Sequence, residues 1–554
     1  MKFKQLTALL LSSVMILAGC GTKSGIEQAP QMSYGDAVAV VLSDNGITVD
    51  GESIGADENA AVYAANDIVY YEAGKDFTYG EGDKDDEHEK AEADAHTVVH
   101  ITQPGTYEIS GKLSAGQIAV DLGKDAKEDP EAVVTLVLNN MDITCSVAPA
   151  VIFYQVYECG SDDAETATAD VDTSAAGANV ILADGSVNTV SGSHVARIYK
   201  SVELNAAGTE VVDSKKLHKY DGAFYSRQSM NIYGDKKGTG VLNIAADNEG
   251  LDSELHLTLN GGNINIWSGN DGINTNEDGV SVTTVNGGSL HIVVNGSTGE
   301  GDGIDSNGWL VINGGSVIAN GCGFSMDTGI DSDMGIHING GSVTATGNML
   351  DHISDSKQNY AVFSFAQSQQ AGQTYALKNE KGKVVAESTP QNNFSYLIFS
   401  DVDLESGTYT LWKGDVQLMG AQGEGGMMSM GGMGFPGGGN FNFPGGMELP
   451  EGMELPEGME IPGGGRGGFD GGNFPGGGRF SERMSRPEGG KMPEGGKRPE
   501  GGENFQGGRG DFGGFGGGNF PGGFGGFGGS QEDLSADFVI EDGGSYFTAV
   551  TEKM

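Results

Sequence analysis

Positive charge is scarce in this sequence. Thirty-one Lys and Arg face 77 Asp and Glu in 554 residues, leaving a net charge of −46. Nucleic acid is thereby excluded as a principal partner, because phosphate binding needs clustered Lys and Arg. Any polyanion would need a cation between it and the chain. Only 8% of residues are aromatic and 37% hydrophobic, while 95 are glycine, so part of the chain lies outside any packed core. The four cysteines are Cys20, Cys145, Cys159 and Cys322, with no C-x-x-C pair, which speaks against a structural zinc site. A Cys145–Cys159 bridge is geometrically open, but small buried hydrophobes are the favoured reading, and the fold is not disulfide-stapled. No helical periodicity of useful length interrupts the repeat region described below. No stretch beyond the first twenty residues approaches eighteen consecutive apolar positions, so no later membrane span is expected.

Those first twenty residues form an address. Lys2 and Lys4 precede the apolar run Leu6 to Leu17, and Leu17-Ala18-Gly19-Cys20 closes it. This order reads as a secretory signal. Its end resembles a bacterial lipobox, which implies cleavage before Cys20 and a lipid on that sulfur. The expectation is an otherwise soluble protein, lipid-anchored to the membrane and facing the extracellular side. Residues 21–36 read as a tether.

The central region repeats. Asn-Gly-Gly recurs at Asn260, Asn286, Asn313 and Asn339, spaced by 26, 27 and 26 residues. Alternating runs lie before each copy (Leu255 to Leu259, Val280 to Val285, Leu310 to Ile312, Ile336 to Ile338) and after each copy (Asn263 to Ile266, Ser289 to Ile292, Ser316 to Ile318, Ser342 to Thr344). Period-two alternation around a glycine turn means strands. Repetition at this length means a solenoid whose units bury their inner faces against one another. The predicted fold is all-β: a parallel β-helix over 37–350, with acidic insertions at about 81–94 and 161–179. A β cap is expected over 351–416, a disordered Gly-, Pro-, Phe- and Met-rich segment over 420–530, and a strand-like end over 536–554.

A second element keeps phase with the first: Glu249-Gly250-Leu251-Asp252, Asp271-Gly272-Ile273-Asn274, Asp302-Gly303-Ile304-Asp305 and Asp327-Thr328-Gly329-Ile330-Asp331. Its glycine is expected to permit a left-handed corner. The acids would then stack on successive units. Strands in a sheet lie about 4.7–4.9 Å apart, close to twice a calcium–oxygen bond of roughly 2.3–2.6 Å. One Ca²⁺ can therefore bridge carboxylates on adjacent units. Asp252, Asp271, Asn274, Asp302, Asp305, Asp327 and Asp331 offer hard oxygen ligands and no sulfur, which favours calcium. The bland reading, acids at solvated turns, suits any one position better than four phased ones.

No Lys or Arg occurs between Gly238 and Ser356, so the strong base of a uronate-cleaving lyase is missing from the repeats. Nothing singles out one carboxylate pair as glycosidase machinery. His256, His291 and His337 flank the Asn-Gly-Gly turns and read as outward sheet positions. No catalytic residue is assigned. Trp267 and Trp309, in or beside the repeats, are candidate stacking platforms for sugar rings.

The runs Gly105 to Leu113 and Val134 to Asn140, the segment Asp221 to Ser226, the Asp-Gly-Ile-Asp corners and Ser406 to Leu411 together resemble a known bacterial family. It is the carbohydrate-binding family typified by a cellulose- and pectin-binding surface protein of a cellulolytic clostridium. The likeness runs from about Ala37 to Lys413. It implies a right-handed parallel β-helix, polysaccharide lyase-like in shape, with calcium at the corner acids and polysaccharide as partner. Glu249, Asn274 and Thr328 depart from a regular Asp repeat. Two other readings stay open: a lyase or hydrolase on similar polymers, and a surface adhesin or spacer that calcium merely stiffens.

Overall fold

The computed structural model describes residues 37–160, 162–423 and 534–553. The leader with Cys20, the tether and residues 424–530 of the glycine-rich segment lie outside the described residues. The described chain is nearly all β, with one four-residue helix, Lys90–Ala93, and one 3-10 turn, Ala126–Glu128.

The repeats build large parallel sheets, and each contributes one strand to each of two ladders, the first four adding a strand to a third. In the first, Ala178–Leu182, Met230–Gly234, Leu257–Leu259, Val282–Val285, Trp309–Ile312 and Gly335–Ile338 pair in succession, all parallel. In the second, Val187–Gly192, Val241–Ala246, Asn263–Ser268, Ser289–Val294, Ser316–Asn320 and Ser342–Gly347 do the same. The long strand Val134–Thr144 feeds both, and Gly105–Leu113 and then Val38–Ser43 extend the parallel pairing before it. The Asn-Gly-Gly turns lead from the first ladder to the second, and the second glycine of each (Gly262, Gly288, Gly315, Gly341) has φ between 81° and 88°, where a side chain would be strained.

The Asp-Gly-Ile segments enter a third ladder rather than a bare corner. Gly222–Ser226, Glu249–Ser253, Ile273–Thr275 and Ile304–Ser306 pair parallel, one above another. Their glycines differ from the expectation. Gly250, Gly272, Gly303 and Gly329 are not left-handed; they are needed because the next unit is too close. A Cβ on Gly303 would lie 2.3 Å from the Gly329 carbonyl oxygen, and one on Gly272 would lie 2.6 Å from that of Gly303.

Alternation sends every second side chain inward, and register places like upon like. Leu251, Ile273, Ile304 and Ile330 form one buried column, and Ile264, Leu290, Val317 and Val343 another, within one continuous core. Each such side chain contributes about 1.5–3 kcal/mol on burial.

The parallel ladder ends where Phe394–Asp401 pairs antiparallel with Ser342–Gly347. Beyond it Tyr360–Gln369, Tyr375–Asn379, Val384–Ser388, Gly407–Lys413 and Val416–Gly423 fold mainly as antiparallel strands around a second core. Phe363 stacks on Phe547 at 5.1 Å within it. Gly544–Glu552 joins through Tyr360–Gln369 and Val416–Gly423. Covering the last parallel strand removes an edge that would otherwise recruit another chain.

Two features carry no period and could not be read from it. A hairpin, Tyr199–Leu204 with Val211–Lys216, stands out from the ladders. The acidic stretch 81–94 is pinned against the body: Glu81 meets Lys216 at 2.9 Å, and Asp86 meets His194 Nε2 at 3.1 Å. Cys145, Cys159 and Cys322 are free thiols, and burial pushes the pKa of Cys145 and of Cys159 up to about 12.

Close packing at the corner makes a specific forecast. Gly303→Ala should lower stability by about 1–3 kcal/mol, whereas Gly55→Ala, with open space around its Cβ, should stay within about 0.5 kcal/mol of the parent. Denaturant unfolding monitored by circular dichroism measures both; equal effects would contradict the close-approach argument.

Candidate functional site

The third ladder stacks polar residues as strictly as it stacks the core. Tyr225, Asp252, Asn274 and Asp305 occupy one register position on successive rungs. Asp331 continues the line, since Ile330 bridges Ile304. Three residues earlier, just before the glycines, Glu249, Asp271, Asp302 and Thr328 make a second column. Backbone bonds tie it together: Gly250 N–H donates to the Asp271 carbonyl, Gly272 N–H to that of Asp302, and Gly303 N–H to that of Thr328, each at 3.0 Å.

Some side-chain oxygens are used internally. The N–H of Asp302 donates to Asp271 Oδ1 at 2.7 Å, and that of Thr328 donates to Asp302 Oδ1 at 2.5 Å. Asn274 Nδ2 donates to Glu249 Oε1 at 3.0 Å, and Asn276 Nδ2 to Asp252 Oδ1 at 2.5 Å. Asp327 stands aside, accepting from the N–H of Gly301 at 2.7 Å and from the Ser325 hydroxyl. The structure therefore brings Asp252, Asp271, Asn274, Asp302, Asp305 and Asp331 onto adjacent rungs and sets Asp327 in the neighbouring loop.

The columns are unusually dry for acids. Asp252 is fully buried, Glu249 is 5% exposed, and Asp271 and Asn274 are 8% exposed. Burial raises the Glu249 carboxyl to about 8, helped by the charge of Asp221. Burial likewise holds Asp252 well above the carboxylate range, with Glu249 and Asp221 adding to it. For Asp271, burial acts together with Asp305 and Glu249; for Asp302, with Asp331 and Asp305. Two ionised neighbours one rung apart repel by about 3–4 kcal/mol at an effective dielectric of roughly 20.

Four oxygens in these columns, Glu249 Oε2, Asp252 Oδ2, Asn274 Oδ1 and Thr328 Oγ1, are buried without a hydrogen-bond partner. An acceptor left so costs about 1–3 kcal/mol. The oxygens of Glu249, Asp252 and Asn274 lie on two adjacent rungs, with that of Thr328 two rungs further on; in chemistry they are the hard oxygens that an alkaline-earth cation takes as ligands. Among the described residues no three His, Cys, Asp or Glu side chains converge into one ready cage. The columns instead offer oxygens in pairs across rungs.

Sequence reasoning did not anticipate the cations that reach this region from outside the repeats. Arg197 places Nη2 2.8 Å from Asp221 Oδ2 and Nη1 3.9 Å from Glu81. Its charge and that of Lys219 act on the first rungs, Arg197 on Glu249 and Lys219 on Asp252 and Glu254. Asn276 was also missed, although its two-residue spacing from Asn274 puts both on one side of the strand.

The other singled-out residues lie elsewhere. Trp267 belongs to the second ladder and Trp309 to the first, each half-buried, so the two rings belong to different sheet faces. His256, expected outward, is 1% exposed and accepts the Val282 N–H at 3.1 Å, because it precedes its strand at the corner between ladders. His291 faces out but is covered by Gln391, 3.1 Å from its Nε2.

Comparison with known proteins gives three findings. A family model described as carbohydrate-binding domain-containing protein matches residues 95–415, more than half of the chain. A carbohydrate-binding domain-containing protein of Acetivibrio thermocellus is 27% identical over 268 residues, covering 48% of this chain and 64% of that relative's length. The solved polysaccharide lyase-like protein from C. thermocellum aligns at a TM-score of 0.30 and 18% identity, covering 58% of this chain and 94% of that one.

The buried carboxyls set a pH dependence. Glu249 titrates near 8 in the folded chain against an ordinary 4.5. Between those values the native state binds more protons than the unfolded state, so stability falls as pH rises through the window. In the presence of a chelator, the thermal midpoint should drop from pH 5 to pH 8, and Glu249→Gln should flatten that slope. A midpoint that rises over the same range would contradict the assignment.

Proposed function

The chain belongs to the carbohydrate-binding domain-containing family, and on that premise we propose that it is a cell-surface polysaccharide-binding lipoprotein, anchored through Cys20, whose ladders form a right-handed parallel β-helix loaded with calcium. The observation that carries this reading is the dry column of acids with unpaired oxygens at strand spacing.

Glu249, Asp252 and Asn274, on two adjacent rungs, would hold a cation through the oxygens that lack donors, and Thr328, two rungs beyond Asn274, would serve a separate one beside Asp302. When bound, calcium supplies the positive charge that a protein of net charge −46 otherwise lacks toward an acidic glycan. Exposure increases along the column, from fully buried Asp252 to half-exposed Asp302, Asp305 and Asp331. A uronate carboxylate of a pectin-like chain would therefore be received at that open end. Cellulose-like chains would bind by ring stacking and hydroxyl contacts, with Trp267 and Trp309 as candidates.

A second reading, lyase or hydrolase chemistry, gains one observation: Arg197 stands beside the acid columns. Its guanidinium is held protonated by Asp221 and Glu81, which makes it a poor proton acceptor. We keep binding as the function and no catalytic residue. A spacer role would share the calcium but not the glycan.

The test is retention of the full chain on polygalacturonate and on cellulose, with calcium or with chelator, while circular dichroism follows folding and absorbance follows unsaturated product. Calcium-dependent retention on polygalacturonate without product is expected. Product in the supernatant would replace binding by catalysis, and a folded, calcium-loaded chain that ignores both polymers would leave only the spacer.

A further inference from the structure

The outer face of the first ladder carries a groove of about 690 Å³ that touches none of the acid-column residues, Trp267 or Trp309. Its floor is two columns set by the parallel register. One runs Asn231, Thr258, Thr284, Val311, His337. The other is a chain of carboxamides: Asn286 Nδ2 donates to Asn260 Oδ1 at 3.0 Å, Asn313 to Asn286 at 2.9 Å, and Asn339 to Asn313 at 2.9 Å. Tyr233 lines the same groove.

One end is roofed by residues 169–174 of the second insertion. Thr173 Oγ1 lies 2.7 Å from both Asn231 Oδ1 and Thr258 Oγ1, and Asn231 Nδ2 donates to the Thr173 carbonyl at 2.7 Å. The other end is flanked by Asp355 and Lys357 and stays open.

Each carboxamide has two N–H donors and two acceptor lone pairs. The ladder uses one of each between neighbours, which fixes every amide plane and leaves a second donor and acceptor per rung. These recur at the strand spacing of about 4.8 Å, close to the length of one pyranose ring along an extended chain. A row of fixed, neutral, two-way hydrogen-bonding groups matches sugar hydroxyls, which also both donate and accept. Charge selects further: Asp170, Asp172 and Asp355 line the groove against Lys357 alone, so a uronate chain would be repelled.

We propose that this groove is a second glycan site, separate from the acid columns and independent of calcium, that takes a neutral, hydroxyl-rich polysaccharide chain lying along the asparagine column. The proposal rests on the carbohydrate-binding reading and adds to it a further place for a neutral polymer, away from Trp267 and Trp309. Thr284, half-exposed in mid-floor, and exposed Asn313 are the residues that a bound chain would cross.

The experiment is calorimetric titration of the full chain with cellohexaose, mannohexaose and hexagalacturonate, with calcium and then with chelator. Thr284→Tyr fills the groove, and Asn313→Asp exchanges a donor for a charge at an exposed position; thermal unfolding checks both folds. Neutral hexasaccharide binding that survives chelation and weakens at least tenfold in either folded variant, with hexagalacturonate binding unchanged, is the expected result. Unchanged neutral binding in the folded variants would overturn the groove and leave the family reading intact. Binding of hexagalacturonate alone would do the same. A wild-type chain that binds none of the three would remove both.

Discussion

Parallel backbone pairing at one fixed spacing governs everything else in this protein. Once each repeat hydrogen-bonds to the one before it, any residue that recurs in phase is forced into contact distance with its own copy. For Leu251, Ile273, Ile304 and Ile330 this gives a core that removes apolar surface from water at every rung. For Glu249, Asp252 and Asp271 the same rule is costly, because it concentrates acids where water is excluded. A chain that keeps such a column has to protonate it or neutralise it with a cation. The two alternatives separate low from neutral pH, and the proposed calcium is the second of them.

The same spacing organises the outside. Asparagines at the end of each first-ladder strand link amide to amide because their rungs are one hydrogen bond apart. The two polar columns therefore differ in what they can hold. The acids are ionisable, short of donors and buried over the first rungs; the carboxamides are neutral, at least half-exposed and balanced between donors and acceptors. One protein thus presents two chemistries at the same period on different faces, the basis of the two glycan sites proposed above.

Phase was legible in the sequence, and non-periodic contacts were not. The Asn-Gly-Gly spacing located the first two ladders, and the Asp-Gly-Ile segments located the acids. The reason for the corner glycines was read wrongly, since intimacy between rungs and left-handed backbone leave the same residue in a sequence. The near approach of Gly303 to the Gly329 carbonyl is a three-dimensional fact. Arg197 and Thr173 escaped for a related cause: each arrives from a segment with no repeat, and only folding places one at Asp221 and the other over Asn231. Absence of Lys and Arg between Gly238 and Ser356 was true of the repeats and incomplete for the site.

The claim on which the rest stands is that the acid columns need a cation at neutral pH. Thermal unfolding of the full chain at pH 7.5 over a series of calcium concentrations tests it directly, since a ligand that binds only the native state stabilises it in proportion to the logarithm of its concentration above Kd. The account predicts a midpoint that climbs steadily with calcium and loses most of that climb in Asp252→Asn. A midpoint that does not respond to calcium would contradict it.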